Sequence, residues 1–274
     1  MLKTRVITAV VLLAVLLPIL FSGNAIAFTV AASLFLGAAM WETQRLFHKP
    51  GAMLIGVGWA LVFAYVSLFS APFSLPTLFT LCTIFWIFGL MPSLRFGLPP
   101  VGGFGSSLIS GVYAVSIFGC FMAMNVLFAK STVLLLSAMA LVWVADIGAY
   151  FCGKAFGKRK LAPTISPGKS WEGAIGGAIL VNAFGFICAY VPTLAETLPA
   201  KIFSHRGMLT MVVVLTAIAA ASVVGDLFES LLKRRVNFKD SSNLLPGHGG
   251  VLDRIDALIP VMPVAALLSA LWAL

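Results

Sequence analysis

The sequence predicts an all-α fold, a polytopic integral membrane helical bundle of about nine transmembrane helices, and three observations carry that expectation. Apolar residues make up 61% of the chain and charged residues 10%, far from the balance of soluble domains. The apolar residues fall in runs of about 20, the length that crosses a hydrocarbon core. Alternating periodicity of the barrel type is absent, which leaves helices as the structure that can satisfy its own backbone in lipid.

The runs lie at about 6–22, 25–41, 52–70, 75–91, 104–127, 131–152, 172–193, 207–229 and 256–274. Between them are short loops, with no room for a separate soluble domain. The first run follows basic Lys3 and Arg5 and precedes Ala25-Ile26-Ala27, which resembles a signal-peptidase site. Its length favours a retained helix over a removed leader. Gly-Gly and Gly-Pro turns from Leu98 to Gly105 mark the loop before the fifth run.

Basic residues orient the bundle. With nine spans, one side receives Lys3, Arg5, Arg45, Lys49, Arg95, Lys154, Lys158, Arg159, Lys160, Lys169, Lys233, Arg234, Arg235, Lys239 and Arg254; the other receives Lys130, Lys201 and Arg206. The positive-inside rule makes the first side cytoplasmic, with the N-terminus in and the C-terminus out. The net charge of +9 is therefore read as topology plus a demand for anionic groups at the cytoplasmic face, not as nucleic-acid binding. Cys82, Cys120, Cys152 and Cys188 lie singly in apolar runs, without metal or redox spacing, and read as packing residues. No repeat of fixed period is present, which weighs against an inverted-repeat transporter.

Charge divides the chain into two regions. Residues 1–130 carry one acid, Glu42, and read as transmembrane helices for scaffold, lipid contact or oligomerisation. Their Trp41, Trp59 and Trp86 admit either interfacial anchoring or packing. Residues 131–274 read as the region that carries chemistry. Asp146 interrupts an apolar helix, where an unpaired carboxylate costs about 2.5–3.5 kcal/mol. A structural partner such as Tyr150 or a lysine, or a role in a site, would account for it. The basic loop 153–173 follows, with Pro167-Gly168-Lys169-Ser170 resembling a phosphate-binding P-loop. Pro163 stands where that pattern needs glycine, so the P-loop fold is rejected. Its chemistry is kept: a hydroxyl, exposed backbone and the compact charge of Lys169 all suit a phosphate. Lys158, Arg159 and Lys160 fit that role and plain topology equally.

The segment from Asp226 to Asp256 holds five of the nine carboxylates: Asp226, Glu229, Asp240, Asp253 and Asp256. Among them are Lys233, Arg234, Arg235, Lys239 and Arg254. Asp226, Glu229, Ser230 and Lys233 fall at i, i+3, i+4 and i+7, on one helix face. An intrahelical Glu229–Lys233 pair explains those two and leaves Asp226 over. The turn Pro246-Gly247-His248-Gly249-Gly250 places side-chain-free backbone where amides could meet a phosphate. It also fits an ordinary tight turn, and His248 admits a structural or a proton-transfer role. Asp253 and Asp256 follow at i, i+3, expected to open the last helix and point the same way. Capping accounts for Asp253 alone; hard oxygen ligands beside phosphate donors point to Mg²⁺.

These residues resemble a known family. Ser230, Leu232, Lys233-Arg234, Lys239-Asp240, Ser242, Leu245-Pro246, His248-Gly249-Gly250-Val251 and Asp253-Arg254-Ile255-Asp256 are similar, position by position, to the pattern of phosphatidate cytidylyltransferases, also called CDP-diacylglycerol synthases. Asp146 to Gly173, with AYF, GK, SPGKS and WEG, resembles that family's second motif. Residues 1–130 resemble it only in being hydrophobic spans. The resemblance implies an integral membrane enzyme, in a bacterial inner membrane, that joins phosphatidate to CTP and releases pyrophosphate. It further implies Mg²⁺ with a possible second metal ion, held by Asp226 and Asp253, and a homodimer among membrane lipids.

The expected chemistry is in-line attack of the lipid phosphate on the α-phosphorus of CTP. Asp256 and Asp240 would assist as further ligands, and Lys233, Arg234, Lys239 and Arg254 would neutralise phosphates. The turn at His248, Gly249 and Gly250 would contribute amides. Ser166, Lys169 and Ser170 would grip the nucleotide, with Asp146 and Ser230 at the edge of the binding site. Two rival readings use the same charges: a transporter for an anionic metabolite, and a transferase acting on another lipid phosphate.

Overall fold

The computed structural model describes residues 2–69 and 75–274. Met1 and residues 70–74, including the end of the expected third span, lie outside the described residues, as do the side chains of Lys3 and Arg5 used in the topology count. The chain is nearly all helical: α1 (Leu2–Phe21), α2 (Ala25–Leu46), α3 (Ala52–Phe69), α4 (Leu75–Phe85), α5 (Met91–Phe96), α6 (Phe104–Lys130), α7 (Thr132–Phe156), α8 (Trp171–Tyr190), α9 (Leu198–Arg235), α10 (Leu252–Ile255) and α11 (Leu258–Leu271). Two short strands, β1 (Lys160–Ala162) and β2 (Ser166–Ser170), form an antiparallel hairpin in the basic loop. The protein is an integral membrane protein: among the described residues, seven helical segments are long and apolar enough to cross a bilayer. The expected first and ninth spans correspond to shorter apolar helices, Val6–Phe21 and Leu258–Leu271.

Several expected boundaries shift for identifiable reasons. A five-residue π-helical stretch, Trp86–Leu90, joins α4 to α5 and carries the fourth span on to Phe96. The eighth run extends backwards to Leu198, because residues 198–206 are also helical; Gly207, at φ 78°, breaks the two parts. The last run does not begin at Asp256. Leu252–Ile255 forms its own single turn, and α11 starts at Leu258.

The centre of the bundle is α6, whose apolar window is 72% buried, whereas that of α3 is 11% buried and faces outward. Trp86 packs edge-on to Tyr113 and Phe228 at ring distances of 6.1 and 5.6 Å, so its role is packing. The four cysteines are free, and Cys82, Cys120 and Cys188 are buried. Helices α7 and α8 lie close along a seam of small residues. A Cβ on Gly177 would come within 2.6 Å of the Ala145 carbonyl. That seam holds α7 against the helix that the hairpin feeds.

Cations sort to two ends. Lys130 donates to Ser269 and Leu274 oxygens at 2.8–3.0 Å, and Arg206 lies over Trp272, so these two gather beside the C-terminus. The hairpin, the end of α9 and α10 gather at a common site.

Candidate active site

A cavity of about 660 Å³ opens where the hairpin meets α7, α9 and α10. Its wall includes Asp146 and Tyr150 of α7, Ser166, Lys169 and Ser170 of β2, Asp226 and Lys233 of α9, and Asp240, Asp253, Arg254 and Asp256. All of its lining residues belong to 131–274.

Helix α9 builds one side. Its i, i+4, i+7 spacing puts Asp226, Ser230 and Lys233 on one stripe, with Ser230 Oγ donating to Asp226 Oδ1 at 3.4 Å. Lys233 contacts the fully buried Glu229 one turn back, as the helical spacing predicts, and also reaches Asp253 Oδ1 at 2.6 Å. One ammonium thus joins carboxylates from two elements. Asp226 is paired as well: Lys169, from β2, lies 2.5 Å from its Oδ2. This contact ties the two sequence motifs together across 57 residues of chain.

Asp253 is the most heavily bonded acid. Beyond Lys233, its Oδ2 accepts Ser241 N at 2.9 Å, Ser241 Oγ at 2.8 Å and Gly250 N at 2.7 Å. Burial opposes its ionisation, but the Lys233 ammonium and the Gly250 amide outweigh burial and hold the carboxyl down at about 2. Asp256 is pushed the other way, first by burial and then by the nearby Asp226. The backbone brings α9 and Asp256 together at Gly225, where a Cβ would lie 2.4 Å from the Asp256 carbonyl. Asp146, deeper on α7, accepts a hydrogen bond of 3.4 Å from Ser222 Oγ.

Not every expected residue faces the cavity. Ser170 lines it, but its buried hydroxyl caps α8 by accepting Gly173 N at 3.2 Å. Arg254 lines it, yet its guanidinium donates to the His248 carbonyl at 2.6 and 3.1 Å. Arg234 lies outside the wall and donates to the Ile165 carbonyl at 3.3 Å, bracing the hairpin turn. Ser230, Lys239, His248, Gly249 and Gly250 are also outside it. The expectation of free turn amides is corrected at Gly250, whose N–H is engaged by Asp253.

Two polar side chains that sequence reasoning did not place in the site line the wall, Tyr150 and Lys154. A third, Glu42, lies behind it: this fully buried carboxylate of α2 accepts bonds from Ser241, Ser242, Val251 and Leu252. Its signal was present as the single acid in the first 130 residues.

The donor set suits a hard divalent cation. Carboxylates of Asp146, Asp226, Asp240, Asp253 and Asp256 share one cavity with Lys154, Lys169 and Lys233. Among the described residues, no three His, Cys, Asp or Glu side chains form a ready-made metal cage. An ion such as Mg²⁺, which takes one or two carboxylates and completes its shell with water and substrate phosphates, does not require such a cage.

A helical membrane protein whose cavity gathers carboxylates and lysines has the charges that suit a site for phosphate groups beside a bilayer. A family model described as Cytidylyltransferase family matches residues 3–272, and the chain belongs to that family of nucleotidyltransferases. It is similar to the phosphatidate cytidylyltransferase of Pseudomonas aeruginosa, 39% identical over 279 residues that span 100% of this chain and 98% of the relative. The enzyme of the same name from Brucella suis is 34% identical over 99% of this chain and 94% of its own. That from Thermotoga maritima is 33% identical, covering 96% and 94%.

Proposed function

We propose that this cavity transfers CMP from CTP to phosphatidate, giving CDP-diacylglycerol and pyrophosphate. The observation that carries the reading is the Lys169–Asp226 bridge, which joins the two family segments at one cavity, with the Lys233–Asp253 bridge inside the second segment beside it. Family membership and the relatives' names supply the substrates.

In this reaction a phosphate oxygen of phosphatidate forms a bond to the α-phosphorus of CTP, and the bond from that phosphorus to the β-phosphate bridging oxygen breaks. The lipid phosphate monoester is already anionic near neutral pH, so alignment and charge neutralisation carry more of the barrier than a strong base. Lys169 and Lys233 supply compact positive charge on two sides of the cavity. Ser166 and the hairpin backbone hold the nucleotide, and Arg234 keeps the hairpin in place. Asp226 and Asp253 would hold Mg²⁺, with Asp240 and Asp256 available to a second ion. When bound, the metal would supply neutralisation of phosphate charge and alignment of the oxygens.

Lipid access fits the surface of the same region. Tyr150 is exposed while it lines the cavity, its neighbour Phe151 is exposed as well, and so is Trp171 at the start of α8. They provide an apolar flank along which acyl chains stay in the bilayer while the headgroup enters. The reading includes entry of both shorter apolar helices into the bilayer, giving nine spans, with the cavity on the cytoplasmic face of a bacterial inner membrane. The charge asymmetry of the loops supports it. The homodimer implied by the family resemblance belongs to the same proposal, and cross-linking in native membranes tests it.

Purified protein supplied with labelled CTP, phosphatidate and Mg²⁺ should yield a labelled lipid and one pyrophosphate per lipid formed. Movement of an anion across vesicles without bond change would overturn the reading in favour of a transporter. Labelling only of a different lipid phosphate would assign another transferase.

A further inference from the structure

From the environment of Glu42 we infer that this carboxylate, on a helix of the otherwise acid-free N-terminal region, is a positioning residue for Asp253. The inference rests on the reading of Asp253 as a metal-holding group and gives the N-terminal region a part in the reaction.

Glu42 is fully buried, and its two oxygens receive four donors from the segment that carries Asp253. Oε1 accepts Ser242 Oγ at 2.5 Å and Val251 N at 3.1 Å; Oε2 accepts Ser241 Oγ at 3.1 Å and Leu252 N at 2.7 Å. Val251 and Leu252 are the residues just before Asp253, so their amides fix the backbone from which its side chain projects. Ser241 makes the second link: the hydroxyl 3.1 Å from Glu42 is also 2.8 Å from Asp253 Oδ2. A serine hydroxyl carries one hydrogen. Two carboxylates therefore compete for it, and a change at Glu42 is felt directly at Asp253.

The surrounding chain is shaped to allow this. A Cβ on Gly250 would come within 2.0 Å of Ser241 Oγ and 2.5 Å of Glu42 Oε1, so only glycine leaves room for the carboxylate. One turn along α2, Arg45 donates to the Ser241 carbonyl at 3.0 Å and holds the same loop from the other side. Buried carboxylates are tolerated when hydrogen-bonded throughout, and four donors meet that requirement.

Glu42→Gln keeps the shape of the side chain but turns an amide N–H₂ toward donors that need an acceptor. Partners that orient a metal-holding side chain typically contribute about 10–100-fold in metal affinity or activity. Two readouts separate positioning from plain stability. The first is Mn²⁺ affinity measured by electron paramagnetic resonance on the detergent-solubilised full chain without substrates; the second is the split between kcat and KM. For the folded fraction of Glu42→Gln, the Mn²⁺ Kd should rise about tenfold and kcat should fall about 10–100-fold. KM for CTP should stay within about threefold, because the nucleotide contacts on the hairpin are untouched. Ser241→Ala, which removes the shared hydroxyl alone, should move Mn²⁺ affinity in the same direction, and it decides the matter if Glu42→Gln does not fold. Wild-type Mn²⁺ affinity and kcat in the folded variants, with only a lower Tm, would overturn the inference. Failure of the wild-type protein to convert CTP and phosphatidate would instead defeat the functional reading, and the Mn²⁺ comparison would still decide whether Glu42 positions Asp253.

Discussion

Residues 1–130 and residues 131–274 share one apolar core but differ in where their ion pairs lie. In the first region aromatic packing is joined by neutral hydrogen bonds: Phe28 stacks on Phe128 at 4.1 Å, Phe63 meets Phe118 and Phe121 edge-on, and Ser110 Oγ donates to Gln44 Oε1 at 3.0 Å. In the second, the ion pairs Lys169–Asp226 and Lys233–Asp253 cross between elements. The difference teaches where a substitution will be felt. Apolar packing is spread over many small contacts, so its loss lowers stability. A charge network around a cavity concentrates its effect on whatever enters. The division is not complete, since Glu42 and Arg45 reach from the first region to the loop that holds Asp253.

Substitutions ranked by expected size sharpen this contrast. Asp253→Asn should have the largest effect on turnover, about a thousandfold or more in kcat, because the proposed mechanism has this charge hold the metal. Lys233 keeps Glu229, so the variant should remain folded in detergent, as a thermal melt would show. Near-normal kcat would break the account. Chelation with EDTA should give a loss of similar size in the unaltered protein, reversed by Mg²⁺; turnover that persists after chelation would remove the metal from the mechanism. Lys169→Ala should come next, with about a hundredfold fall in kcat/KM for CTP, measured by initial rates. An unchanged value would detach the hairpin from nucleotide binding.

Arg234→Ala should be milder, about tenfold, since Arg234 braces the hairpin through one carbonyl and does not line the cavity. A loss equal to that of Asp253→Asn would place it against substrate after all. Phe63→Ala should have the smallest effect on chemistry. It opens a gap beside Phe118 and Phe121, so Tm should fall by several degrees while kcat of the folded protein stays within about twofold. A selective loss of kcat there would erase the contrast between the regions.

The sequence showed the two motif segments readily, because carboxylates are scarce in an apolar chain and each is expensive there. Helical spacing also gave the stripe of Asp226, Ser230 and Lys233. What it could not give was pairing across elements. Lys169 reads as a free phosphate ligand in sequence, yet the hairpin delivers it to Asp226. Arg234 and Arg254 read as phosphate ligands, but both guanidiniums bond backbone carbonyls. Gly249 and Gly250 suggest open amides, whereas Gly250 serves Asp253 and makes room for Glu42. Span ends shifted where local rules outweighed hydropathy, as at Gly207 and at the single turn Leu252–Ile255. Glu42 stood out by composition alone; only the fold shows which donors it meets.

The central claim is that the cavity brings a lipid phosphate and CTP together for one direct displacement. Its most direct test is the stereochemistry at phosphorus, using CTP made chiral at the α-position with sulfur. A single in-line step should give a CDP-diacylglycerol analogue with inverted configuration. Retention would require two successive displacements, with CMP passed first to a group on the protein, and would contradict the account.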